Sequence, residues 1–404
     1  MSLNSCWFLK IPSSPHIVRT ALLPALLLLG VGGNADAQVC PADTVASELR
    51  RPMGLALSNL GNLIVSETGS AVPNSGRISI ISPDGNRRTL IDRLPSGTSD
   101  VGDPTGPAGI VMRGRSLYVL MSIGDSVVPA PVATRQYANP AVSSPIYSSV
   151  LEFTFSANVE KRTAGFIMSA ADQQTLAAGA RVIQSNGGGD TLEISLVTNF
   201  PDTIPDPLPG FPAIVRGSNP FGIALAGDQL YVTDGGRNLL WQVDIPTGTH
   251  APLATFGTIP NPIFPAVGGP VIEPVPTGIE YVNGQLLVTL FRGVPFAPNT
   301  STVVQIDPVT GGQTPFITRL KTAIKVLQIE GAVDSDYLVL QHSSGPQPFF
   351  AGPGVVLRFD TPASTPIVVA DCFQRPTSML LDEKSGILYV TELLSGRLLS
   401  IIFE

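Results

Sequence analysis

Residues 219–244, NPFGIALAGDQLYVTDGGRNLLWQVD, decide the fold. The stretch opens with Pro220-x-Gly222 and a short apolar run, then breaks at the polar turn around Gly227 and Asp228. It rises again through Leu230-Tyr231-Val232, turns over at Asp234-Gly235-Gly236, and runs through a third apolar segment that closes on Asp244. Short apolar runs separated by Gly, Asp and Asn turns read as consecutive antiparallel strands.

The same phrase recurs from Arg51 (RPMGLALSNLGNLIVSETG), Gly106 (GPAGIVMRGRSLYVLMSIG), Val275 (VPTGIEYVNGQLLVTLFRG), Ile329 (IEGAVDSDYLVLQHSSG) and Arg375 (RPTSMLLDEKSGILYVTELLSG). Self-similarity at a period of about 50 residues marks stacked supersecondary units. Each copy is followed by a third strand, and most by a fourth, such as residues 88–92 or 365–370. Four antiparallel strands per unit describe one blade of a β-propeller. The expectation is therefore an all-β, six-bladed propeller forming one domain.

The interval between the anchors Gly109 and Gly222 is about twice the others. It has room for a seventh blade, but residues 157–217 lack the Leu-Tyr-Val phrase and carry a helix-like piece at 170–178 and a Pro-rich run at 201–212. They are read as an insertion. The last unit has three strands before Glu404, while residues 44–49 form an orphan strand ahead of the first phrase. The N-terminal strand is expected to complete the last blade, which closes the ring and removes an open edge.

Ahead of the repeats, Lys10 and Arg19 precede an apolar run at 21–31 and the small-residue site Ala35-Asp36-Ala37. This pattern predicts a Sec-type signal peptide over 1–37, cleavage before Gln38, and a periplasmic or secreted product. Eleven apolar residues are too few for a spanning helix, which takes about 20. The chain has a net charge of −7 and no basic run. Phosphate backbones and anionic lipid surfaces would repel it, so nucleic acid and membrane are excluded as expected partners. Cys40 and Cys372 remain after cleavage. In an oxidising compartment they are candidates for a disulfide, provided the fold brings their Cα atoms within about 7 Å.

Three tracts together, at residues 94–119, 218–244 and 275–308, resemble the ScyD/ScyE family of exported cyanobacterial and proteobacterial propellers, a resemblance spanning most of the mature chain. Members are linked to assembly of the pigment scytonemin outside the cytoplasm, and many have no assigned activity. The resemblance thus implies fold and compartment more than reaction. The tract Asp234-Gly235-Gly236-Arg237-Asn238 is also similar to the turn of NHL repeats, a binding module. Met121, where an acidic or Gly-rich turn is expected, and the long insertion depart from the family pattern.

In a propeller the turns after the second strands gather at one channel mouth. Those positions read as Glu67, Ser122, Asp234, Arg292, His342 and Glu392. Convergence of Glu67, Asp234 and Glu392 would suit a divalent cation of the Ca²⁺ type held by oxygen ligands, as in regucalcin- and gluconolactonase-type propellers. On the other reading the same acids cap turns or pair with Arg77, Arg237 and Arg397. A His-rich transition-metal site is excluded, since only His250 and His342 follow the signal and no Cys/His cluster has ligand spacing. No nucleophile elbow, Walker loop, dinucleotide fingerprint or zincin helix is present. Gly187-Gly188-Gly189 has no helix after it and reads as a loop. Two functions follow: a module that binds a small molecule or an extracytoplasmic protein, or a metal-assisted hydrolase or lactonase working at the acidic mouth.

Overall fold

The structure, a computed structural model, describes residues 40–330 and 335–403. The signal segment, its cleavage site and the anchor Gly331 lie outside the described residues. Six of the nine sheets among the described residues form the main body of the fold. In order, their innermost strands are Pro52–Leu57, Pro107–Arg113, Pro220–Ala226, Pro276–Val282, Ala323–Glu330 and Pro376–Asp382. Each of these packs on the next, and the sixth packs on the first, so the inner strands form a closed ring. This is a β-propeller, as the repeats predict.

The Pro-x-Gly phrase explains how the ring closes so tightly. A Cβ built on Gly54 would stand 2.6 Å from the carbonyl oxygen of Ala108 in the next blade, and one on Gly109 would stand 2.5 Å from that of Phe221. Gly222 and Gly278 meet Thr277 and Ile324 in the same way. Hydroxyls on the hub then tie blade to blade. Thr233 Oγ1 donates to the Thr277 carbonyl, Thr277 Oγ1 to that of Ala323 (3.3 Å), and Thr377 Oγ1 to that of Pro52 (2.8 Å), the last joining the sixth blade to the first. Each of these bonds supplies a donor to a buried carbonyl of the neighbouring blade.

The ring is completed by the N-terminal strand. Asp43–Ala46 pairs antiparallel with Arg397–Ile402, with Asp43 opposite Ser400 and Thr44 opposite Leu399. The sixth sheet is thus built from both ends of the chain, as expected. Cys40 and Cys372 form a disulfide with Cα atoms 5.5 Å apart. It fastens this N-terminal segment to the outer strand of the fifth blade, Ile367–Phe373.

Two features differ from the sequence reading. The fifth inner strand begins at Ala323, so Lys325 takes the position that glycine holds in four blades and Ser378 in the sixth, and the Ile329 phrase belongs to its far end. Lys325 carries its side chain away to the Ile279 carbonyl (2.8 Å) and Glu280 (3.0 Å). Residues 157–217 also contain Thr191–Asn199, the fourth strand of the second blade. The additions lie on either side of it. Phe166–Ile167 extends the first blade in parallel, and Val182–Ser185 extends the second. A helix, Ala170–Ala177, sits between them behind a Ser169/Asp172 capping box. Further on, Thr203–Pro205 and Ile214–Gly217 join Val127–Pro129 and Gln136–Ala138 in a separate small sheet. No helix among the described residues is long and apolar enough to cross a membrane.

Candidate functional site

Strand register identifies which residues are equivalent at the mouth. Opposite the first residue of the six inner strands stand Glu67, Met121, Asp234, Leu290, Gln341 and Glu392. Ser122 and His342 therefore lie one residue beyond this position, and Arg292 two beyond. The offset changes what each residue does.

The three acids at the register position are fully buried and each locks a turn. Glu67 accepts from Arg77 Nε (2.9 Å) and Nη2 (2.6 Å), from Ser79 Oγ (2.5 Å) and from the Arg50 amide (2.5 Å). Asp234 accepts from the amides of Asn219 (2.8 Å), Gly236 (3.1 Å) and Arg237 (3.0 Å), from Trp241 Nε1 (3.2 Å), and from Ser218 Oγ. Glu392 accepts from the Gln374 amide (2.7 Å), from Arg397 Nε (2.9 Å) and from Ser395 Oγ. Gln341 does the same job without charge, accepting the Lys321 amide through Oε1 (2.5 Å). In all four blades the residue tethers the backbone just before the inner strand to the end of the second strand.

A carboxylate offers about four acceptor directions, and here they are taken by protein donors. The three acids do not fit a shared cation. Among the described residues no group of three or more His, Cys, Asp or Glu is placed to hold a metal. Glu67→Gln should cost about 2 kcal/mol by weakening charge-assisted bonds to a buried Arg77. Elemental analysis of the wild type and of this variant should show no stoichiometric divalent ion in either.

The next residue along faces the channel instead. Gly235, Phe291, His342 and Leu393 line a pocket with the second residues of five inner strands, Met53, Phe221, Thr277, Ile324 and Thr377. Both sets of residues contribute to the lining. Phe350, carried by the loop 343–353, closes over it, and Asn219 and Val275 complete the rim. The pocket is almost wholly apolar, and its enclosed space is about 50 Å³, the rest being open to solvent at the mouth. Small-molecule sites run to about 300 Å³ or more, so a ligand would be seated mainly in the open mouth.

The roof is held by named contacts. Phe350 stacks on Phe296 (4.4 Å between centroids) and meets the edges of Phe291 and His342 at 6.1 and 5.0 Å. The Phe349 amide donates to the Pro295 carbonyl (2.8 Å), joining the fourth-blade loop to the fifth. Lys321 Nζ donates to the carbonyls of Gly345 (2.6 Å) and Gln347 (2.7 Å), and burial beside Arg375 pulls its pKa down to about 8. Arg375 lies 5.7 Å over the Phe350 ring and donates through Nη1 to Gly352 O (2.9 Å) and through Nη2 to Phe350 O.

Of the residues singled out from sequence, His342 is the one whose ring enters this pocket. It is nearly fully buried, and Nδ1 contacts the Pro376 carbonyl at 2.9 Å. That carbonyl can only accept, so Nδ1 carries the proton and Nε2 bears a lone pair. Burial, with a further push from Arg375, lowers its pKa to about 4. The folded state thus binds fewer protons than the unfolded chain between about pH 6.5 and 4. His342 should therefore contribute stability above pH 6.5 that is lost on acidification toward pH 4. The difference between wild type and His342→Phe should narrow by about 2 kcal/mol between neutral pH and about pH 5, measured by chemical denaturation.

Arg292 turns away from the pocket. Its Nε donates to the Thr300 carbonyl (3.1 Å) and Nη1 reaches toward that of Gly257 (3.4 Å), and burial lowers its pKa. Ser122 donates through Oγ to Asn219 Oδ1 (2.5 Å) across the second and third blades. His250 lies on the outer strand of the third blade against Phe200 and Trp241. The lining residues Met53, Phe221, Phe291 and Leu393 were not singled out from sequence. The usable signal was positional, since they follow the proline of the phrase or the last residue of the second strand.

No protein-family model and no curated protein matches the chain. Among solved structures it is similar to a gluconolactonase, XC5397, from Xanthomonas campestris, at 10% identity and a TM-score of 0.47, with 88% of this chain and 87% of that chain covered.

Proposed function

We propose that this chain is an exported, extracytoplasmic propeller that binds a small, mainly apolar molecule in the hub pocket. The compartment follows from the predicted signal peptide and from the ScyD/ScyE resemblance. The reading rests on one observation: five inner strands present Met53, Phe221, Thr277, Ile324 and Thr377 around a roofed apolar cavity, while the neighbouring acids serve the backbone. Apolar surface left open at a hub is costly unless something covers it. The alternative of a Ca²⁺-assisted hydrolase or lactonase requires the mouth carboxylates to be free, and their bonding favours the binding module.

A thermal-shift screen of neutral ring compounds is expected to give hits, because a ligand that binds only the folded state raises its stability. Met53→Trp, which fills the pocket, should abolish those shifts while leaving the unliganded melting temperature within a few degrees. Hits that survive Met53→Trp unchanged would place the ligand elsewhere and end this proposal.

A further inference from the structure

Among the described residues, the pocket's apolar lining leaves two polar atoms without partners, and their chemistry is complementary. His342 Nε2 makes no hydrogen bond, since the ring's one polar contact is Nδ1 to Pro376 O. At Asn219, Oδ1 accepts from Ser122 Oγ at 2.5 Å. The Nδ2 group is then left as a donor with no bond among the described residues. Both residues line the pocket. The threonine hydroxyls there are already engaged, Thr377 with Pro52 O and Thr391, and Thr277 with Thr289 and Ala323 O. No charged side chain lines the cavity.

We infer that the pocket selects neutral molecules built as an apolar ring bearing a hydroxyl, the hydroxyl donating to His342 Nε2 and an oxygen of the ligand accepting from Asn219 Nδ2. The inference rests on the pocket being a ligand site, and it adds what that site recognises. An acceptor lone pair in an apolar cavity rewards an O–H donor and rejects a carboxylate. A carboxylate would bring a second set of lone pairs and lose its hydration, with no cation lining the pocket to pair with it. The phenyl rings of Phe221, Phe291 and Phe350 suit an aromatic body.

The test uses para-cresol, its methyl ether para-methylanisole, and para-toluate, with binding followed by titration calorimetry. The ether keeps the ring, the bulk and an acceptor oxygen but lacks the donor. In the wild type para-cresol should bind about tenfold more tightly than para-methylanisole, the worth of one hydrogen bond, and para-toluate should not bind. In His342→Phe the cresol-to-ether ratio should fall to near one. The wild-type protein gives an independent reading that does not depend on the variant folding. The imidazole Nε2 resonance should move on adding para-cresol and stay in place with para-methylanisole. If cresol and ether bind equally, and both are lost in Met53→Trp, the pocket stands and the donor assignment is overturned. If neither binds and Nε2 does not move, both the pocket reading and this inference are overturned.

Discussion

Replacing Gly109 by alanine is expected to lower the folding stability by 3 kcal/mol or more, a large effect for adding one methyl group. The new Cβ would stand 2.5 Å from Phe221 O, 3.2 Å from Ile223 N and 3.3 Å from the Gly222 Cα. All three are backbone atoms of the adjacent inner strand, so no side chain can swing aside. Relief requires the second blade to move away from the third. Both strands are fixed by their own sheets, and Ser66 Oγ holds the preceding residue's carbonyl, Ala108 O, at 2.5 Å. Overpacking in a dense core costs about 1–3 kcal/mol when side chains can adjust, and more where only backbone can. Gly187→Ala is the control. Nothing lies within 4 Å of its Cβ, and its melting midpoint should match the wild type. Equal denaturation midpoints for Gly109→Ala and wild type would show that the inner strands are not in the contact described.

The same contact explains why the fold was legible from sequence and the site was less so. Pro-x-Gly recurs because geometry at the hub imposes it on several blades: glycine permits the approach, and proline sits where the inner strand begins. The recurrence fades where another residue meets the same constraint by a different route. Lys325 does so by sending its chain to Glu280, and the recurring phrase of the fifth blade therefore falls a few residues beyond the start of its inner strand. The fourth strand of the second blade was hidden for a related reason. Thr191–Asn199 is a fully formed strand, but it follows a helix and a Gly-rich loop and has no Leu-Tyr-Val phrase to mark it.

At the mouth, charge drew attention to Glu67, Asp234 and Glu392, and these are the residues the backbone uses. Carboxylates fully removed from water need several donors, and the turn amides supply them. A strand alternates its faces with a period of two, so a one-residue error in reading where a strand ends exchanges a turn lock for a pocket wall. Gln341 and His342 show this directly. The first accepts the Lys321 amide and the second faces the cavity. The phenylalanines of the wall and roof looked like ordinary core residues, because composition alone cannot separate an apolar side chain facing a cavity from one facing another side chain.

Removing the Cys40–Cys372 bridge should produce the largest loss of stability of any change considered. The bridge spans 332 residues of sequence, so it holds nearly the whole chain as a closed loop in the unfolded state. Constraining a loop of about 100 residues is worth about 4.7 kcal/mol in chain-entropy terms, and the value grows slowly with length, giving about 6 kcal/mol here. The native state loses something as well. The sixth blade's outer strand, Asp43–Ala46, is four residues long and is held by pairing with Arg397–Ile402 and by the Leu49 amide on Gly396 O (2.9 Å). Without the bridge its near end is free to fray, and fraying bares the edge of Arg397–Ile402 and the apolar side chains Leu398 and Leu399 beneath it. Denaturation of the Cys40→Ala/Cys372→Ala protein should show a midpoint shifted by roughly that energy, together with earlier exchange of the amides of Arg397–Ile402 than of those in Gln229–Asp234. An unchanged midpoint would mean that strand pairing alone closes the ring. A shifted midpoint with uniform exchange would assign the whole effect to the unfolded chain and none to fraying of the sixth blade.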